Sequence, residues 1–115
     1  MTAGLTTHVL DTNREGPAEG VGVTLYRLDD GDREQVASAT TNHDGRVDEP
    51  LLDADEIEAG TFELVFGVGA YYREGPTTST FLDEVPVRFL IDDPTEHYHV
   101  PLLLSPGSYT TYRGS

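Results

Sequence analysis

The chain has 115 residues, a length that suits one domain (residues 1–115) with room for one modest core. It contains no cysteine, which excludes disulfides, thiolate nucleophiles and Cys-based metal sites, and its 37% hydrophobic content is spread widely enough to exclude global disorder. With 21 aspartates and glutamates against seven cationic side chains, the formal charge is −14, which repels both nucleic-acid backbones and anionic membranes.

The pattern is β throughout. Residues 5–10 form the first predicted strand. In residues 21–28, Val21, Val23 and Leu25 face one way while Gly22, Thr24 and Tyr26 face the other. Asp29-Asp30-Gly31-Asp32 predicts a hairpin into a strand over 34–41. Asn42-His43-Asp44-Gly45 predicts a second tight turn, with Gly45 free to take positive φ. Residues 52–60 (LDADEIEAG) are the most acidic stretch and read as a solvated connection. A strand is expected over 61–68. A helical turn within 69–80 is expected to stop at Gly75-Pro76. Strands over 85–91 and 98–104 flank the turn Asp92-Asp93-Pro94-Thr95, and β character returns at Tyr109 to Tyr112. Six to eight short strands at this spacing predict an antiparallel β-sandwich.

Polar residues inside apolar strands single out candidate chemistry. His43 lies in a turn and reads as solvated. His8 interrupts Leu5-Thr6-Thr7-His8-Val9-Leu10. His97 and His99, at i and i+2, share one face of their strand. Imidazoles so placed serve as general bases or as metal ligands, and His8 with His97 and His99 would make a three-histidine metal site. Arg46, directly after Asp44-Gly45, places a permanently charged fork where a strand begins. The tail Tyr112-Arg113-Gly114-Ser115 follows strand-like sequence almost to the end.

All seven cations are arginine. Excess acid without lysine is a property of solvation, and it reads as halophilic adaptation to molar salt, where the screening length is about 3 Å. No apolar run reaches the roughly 20 residues of a membrane span. Met1-Thr2-Ala3-Gly4 lacks the pattern of a secretory leader, so a soluble cytoplasmic protein is expected.

Three segments together resemble the transthyretin-like family, in particular its 5-hydroxyisourate hydrolase branch. They are Thr7-His8-Val9-Leu10-Asp11-Thr12 with Pro17-Ala18, the turn Asp44-Gly45-Arg46, and His97-Tyr98-His99-Val100-Pro101-Leu102-Leu103-Leu104-Ser105-Pro106 leading to the terminal Tyr112-Arg113-Gly114-Ser115. Phe62-Glu63-Leu64-Val65-Phe66 and Glu84-Val85-Pro86-Val87-Arg88-Phe89 are similar to the family's middle strands. The resemblance implies a transthyretin-like sandwich of two four-stranded sheets with one short helix, and a homotetramer with active sites at the dimer–dimer interface. It implies metal-independent hydrolysis of 5-hydroxyisourate in urate breakdown, with no cofactor. Carried over by position, His8, Arg46 and His99 would be catalytic, and Tyr112, Arg113, Gly114 and Ser115 would bind substrate. The chain departs from the family pattern at Glu15-Gly16 and at Gly107-Ser108, which bears on local turn shapes. A non-catalytic ligand carrier and a metal-dependent hydrolase are the competing readings.

Overall fold

In β1 (Gly4–Asp11) every second side chain is buried: Leu5, Thr7, Val9 and Asp11 face inward, while Thr6, His8 and Leu10 face outward. That alternation is what a strand with one face on a core requires. The same holds in β7 (His97–Ser105), where Tyr98, Val100, Leu102 and Leu104 are inward. The structure is a computed structural model and describes residues 3–75 and 81–114.

The other strands are β2 (Gly16–Pro17), β3 (Gly22–Asp29), β4 (Asp32–Thr40), β5 (Gly60–Phe66), β6 (Val85–Ile91) and β8 (Ser108–Thr111), and the helix is α1 (Val68–Glu74). They form two four-stranded sheets, ordered β2-β1-β7-β8 and β4-β3-β5-β6. This is the expected sandwich of two four-stranded sheets with one short helix. The exception to antiparallel pairing is β1 with β7, which run parallel. Leu5, Val9, Leu102 and Leu104 meet Val23, Leu25, Phe62, Leu64, Phe66 and Ile91 in one shared core.

The turns follow their sequence chemistry. Asp30 and Gly31 both take positive φ (48° and 86°), the primed two-residue hairpin that joins β3 to β4. At Asp92-Asp93-Pro94-Thr95, both Asp92 N–H and Asp93 N–H donate to the Tyr98 hydroxyl, at 3.2 and 3.1 Å. The acidic connection over 52–60 is less solvated than its composition suggests. Its carboxylates are exposed, but Leu52 and Ile57, with the adjacent Leu51, reach into the core. The short β2 was not legible as a strand, and α1 falls where a helical turn was expected. Residues 76–80, on which the expected Pro76 stop falls, lie outside the described residues.

Helix α1 is tied to the end of β1 by a buried carboxylate. The Tyr71 hydroxyl donates to Asp11 Oδ2 at 2.8 Å, while the backbone N–H groups of Asn13 and Arg14 donate to Oδ1. Burial, and then the bond to Asp11, push the Tyr71 hydroxyl pKa up. A buried charge held this way is satisfied rather than reactive.

Candidate active site

The parallel register sets Thr6 opposite His99 and His8 opposite Pro101. The outward face of this sheet therefore collects Thr6 and His8 from β1 with His97 and His99 from β7. The Asn42–Gly45 turn docks on the same place. Val9 N–H donates to the Gly45 carbonyl at 2.8 Å, and an isolated bridge pairs His8 with Arg46. Only glycine fits at position 45. Its φ is +76°, and a Cβ there would collide with the Val9 carbonyl oxygen and stand 3.1 Å from Pro17 Cβ. Backbone contacts alone thus deliver Arg46 beside His8.

The histidines are individually oriented. His8 Nε2 lies 2.8 Å from the Asp44 carbonyl oxygen. A carbonyl only accepts, so Nε2 carries the hydrogen and Nδ1 keeps a lone pair. His99 Nδ1 lies 2.9 Å from the Thr6 hydroxyl, and His97 Nε2 lies 3.0 Å from the same oxygen. The chain end closes over His99: Gly114 N–H donates to the His99 carbonyl at 2.7 Å. A Cβ on Gly114 would sit 2.6 Å from His99 Cδ2 and 3.3 Å from Cγ, so the tail lies directly against the Cγ–Cδ2 edge of the imidazole.

Electrostatics favour a neutral His99. Burial first, and then the Arg46 guanidinium and the neighbouring His8 and His97 rings, hold its pKa below the usual histidine value, against an opposing hydrogen bond from Thr6. The imidazole is therefore a free base at neutral pH. Arg46 is set apart among the cations. Arg27, Arg33, Arg73, Arg88 and Arg113 each have a carboxylate within 4.0 Å, and Arg14 donates to Tyr71. Among the described residues Arg46 has no carboxylate within that distance, although 21 acids are available.

Of the residues singled out from the sequence, the structure brings His8, Arg46, His99 and Gly114 together. Ser115 lies outside the described residues. Tyr112 and Arg113 line a groove of about 360 Å³ with Val87, Phe89 and Leu90. Arg113 anchors the tail: its Nη2 donates to Glu96 at 2.9 Å and to the His97 carbonyl at 3.1 Å, and its guanidinium lies 4.1 Å over the Tyr98 ring. His43 is exposed in its turn, as expected. The three-histidine metal arrangement is not formed. No three His, Asp or Glu side chains converge suitably to hold a metal ion among the described residues. Sequence reasoning missed Thr6, whose signal was present: it is two residues from His8 and shares its strand face.

The HIUase/Transthyretin family model matches residues 5–114. The chain belongs to that family. It is similar to the 5-hydroxyisourate hydrolase of Halalkalibacterium halodurans, at 50% identity with all of both chains covered. It is also similar to the solved 5-hydroxyisourate hydrolase of Klebsiella pneumoniae, at 36% identity and a TM-score of 0.83, covering 98% of this chain and 99% of that one. A crystal structure of (S)-allantoin synthase matches 99% of this chain at 42% identity and a TM-score of 0.91. The chain spans 44% of that longer protein. In this chain the sandwich exposes on one sheet the residues on which the candidate site stands.

Proposed function

We propose that the protein hydrolyses 5-hydroxyisourate, opening its six-membered ring at an amide-like carbonyl to give 2-oxo-4-hydroxy-4-carboxy-5-ureidoimidazoline. The observation that carries this reading is the meeting of two oriented imidazoles with Arg46, which has no carboxylate within 4.0 Å among the described residues, on a single sheet face closed by Gly114. The names of the relatives support the same substrate.

His99 is the general base. Its lowered pKa keeps it unprotonated at neutral pH, and its Nε2 is left free because Nδ1 is bonded to Thr6. It takes a proton as water adds to the carbonyl carbon. Arg46 stabilises the oxyanion that develops on the carbonyl oxygen; a cation without a carboxylate partner is free to do so. His8, paired with Arg46 by the backbone bridge, orients the water, and the proton that His99 took from the water is given back to the departing nitrogen. The C–N bond then breaks, the oxyanion collapses to a carboxylic acid, and that acid releases its proton to water to become the carboxylate. We assign substrate binding to the tail Tyr112-Arg113-Gly114-Ser115: the Arg113 contacts hold it, and Gly114 lies against His99. No step calls for a metal or a cofactor.

The site faces outward, and we assign its other wall to further copies of the chain in a homotetramer, with sites at the dimer–dimer interface. Leu10 and Leu103 border an open apolar groove of about 320 Å³ on this sheet, which suits such a contact. Four chains at −14 each carry −56, so assembly and folding should need salt, in keeping with a salt-rich cytoplasm. Sedimentation and thermal unfolding from low to molar KCl should show both strengthening with salt; indifference to salt would remove the halophilic reading.

The activity test generates 5-hydroxyisourate in place from urate and follows its decay by absorbance, with and without chelator. Accelerated decay that chelator does not touch supports the proposal. Absence of acceleration would leave a ligand carrier, and loss on chelation would point to a metal enzyme.

A further inference from the structure

The Thr6 hydroxyl has two histidine partners and one proton. Its oxygen lies 2.9 Å from His99 Nδ1 and 3.0 Å from His97 Nε2, with all three groups half-buried on the outward face of the β1–β7 ladder. A hydroxyl donates once and accepts through its lone pairs, so it cannot donate to both rings. If His99 donates from Nδ1, the hydroxyl is free to donate to His97 Nε2, and His99 Nε2 keeps its lone pair. If the hydroxyl instead donates to His99 Nδ1, a neutral His99 carries its hydrogen on Nε2 and cannot act as a base there. The tautomer of His99 is thus tied to that of His97 through one oxygen.

We infer that Thr6 and His97 are positioning residues for the reaction: together they hold His99 in the tautomer whose Nε2 is basic and share the proton it collects. The inference rests on the reading of His99 as general base. When Nε2 takes a proton from the attacking water, the Nδ1 proton passes to Thr6 Oγ as the Thr6 proton passes to His97 Nε2. One N–H and one O–H bond break, one O–H and one N–H bond form, and the positive charge moves to His97. The reverse transfer restores the proton to His99 for the next step. This arrangement gives His97 a task without substrate contact. The charged groups that bear on His99 come from each element around it: His8 on β1, Arg46 after the turn, and His97 on its own strand. Arg113 on the tail is held by Glu96.

The test compares Thr6→Val, Thr6→Ser, His97→Phe and the double variant Thr6→Val/His97→Phe. Thr6→Val and His97→Phe should each lower kcat roughly 10–100-fold, a fraction of the effect of a general base itself, with little change in KM. Thr6→Ser should restore most of the rate. The double variant should be no worse than either single one, because one linkage is cut twice. In ¹⁵N spectra of the imidazoles, Thr6→Val should shift His99 away from the Nδ1–H tautomer and Thr6→Ser should not. Additive losses, a wild-type rate and pH profile in Thr6→Val, or unchanged His99 tautomers would overturn the inference. If Thr6→Val failed to fold, His97→Phe and Thr6→Ser would carry the same test. The tautomer readout needs no substrate, so a wild-type protein inactive on 5-hydroxyisourate would refute the proposed reaction while leaving the linkage open to direct measurement.

Discussion

The outward faces of the two sheets treat charge in opposite ways. On the β4-β3-β5-β6 sheet, the nearly buried Glu63 is clasped by Arg88 at 3.2 and 3.3 Å and by Arg33 at 3.6 Å, and Arg33 also lies 3.8 Å over the Tyr26 ring. The buried carboxylate there has its counter-charges in place. On the β2-β1-β7-β8 sheet, three imidazoles crowd one arginine that has no carboxylate partner among the described residues. One face spends its polar groups on each other and is structural. The other leaves a lone pair and a positive charge unspent, and those are the groups that chemistry needs.

The sharpest way to break this contrast is to remove the base. His99→Ala should lower turnover by about 10²–10⁴-fold with the fold intact, read by the 5-hydroxyisourate assay beside circular dichroism. A wild-type rate would remove His99 from the site.

Arg46→Ala should cost about 10²–10³-fold through the lost oxyanion stabilisation. It should also move the pH profile. His99 works as a base only when neutral, and its pKa lies below the ordinary value of about 6.5, so kcat/KM should rise along an acid limb below that pH and level off at neutrality. Removing the Arg46 charge takes away a penalty on the imidazolium, so the pKa rises and the limb moves to higher pH. A limb that stays in place would show that Arg46 does not act on the base.

Gly114→Ala should be milder. The added methyl would press on His99 Cδ2 and must displace either the ring or the tail, and misplacement on the ångström scale costs up to about 10²-fold. An unaltered rate would mean the tail stands clear of the imidazole in solution.

On the opposite face, Glu63→Gln should cost about 1 kcal/mol of stability, because both arginines are largely exposed and lose little by returning to water. It should leave kcat within twofold, measured by denaturant unfolding alongside the assay. A large loss of activity would erase the distinction between the two faces.

Much of this could be read along the chain. Alternation in β1, β3 and β6, the Asp30-Gly31 hairpin and the Gly45 turn are local effects, written by strand period and by residues that tolerate positive φ. The site was legible as a set of residue types: imidazoles on strand faces, an arginine after a turn, a tail with β character. Three features were not legible. The β1–β7 pairing is parallel and joins segments more than ninety residues apart, so no local signal announces that Thr6 lies opposite His99. Gly16–Pro17 is too short to show a period. The third is the seat of Arg113, whose guanidinium is held by Glu96 and the Tyr98 ring, contacts that its place in the tail does not announce.

By itself the sequence determined which side chains face the core and which face outward, because a strand's period of two leaves no choice once one face is apolar. It also determined that seven arginines would have to serve among 21 acids. Only the tertiary structure decided which arginines would meet a carboxylate, which ring nitrogens would be hydrogen-bonded, and that one hydroxyl would stand between two histidines. Those outcomes depend on distances between groups remote in sequence, and register between strands sets such distances.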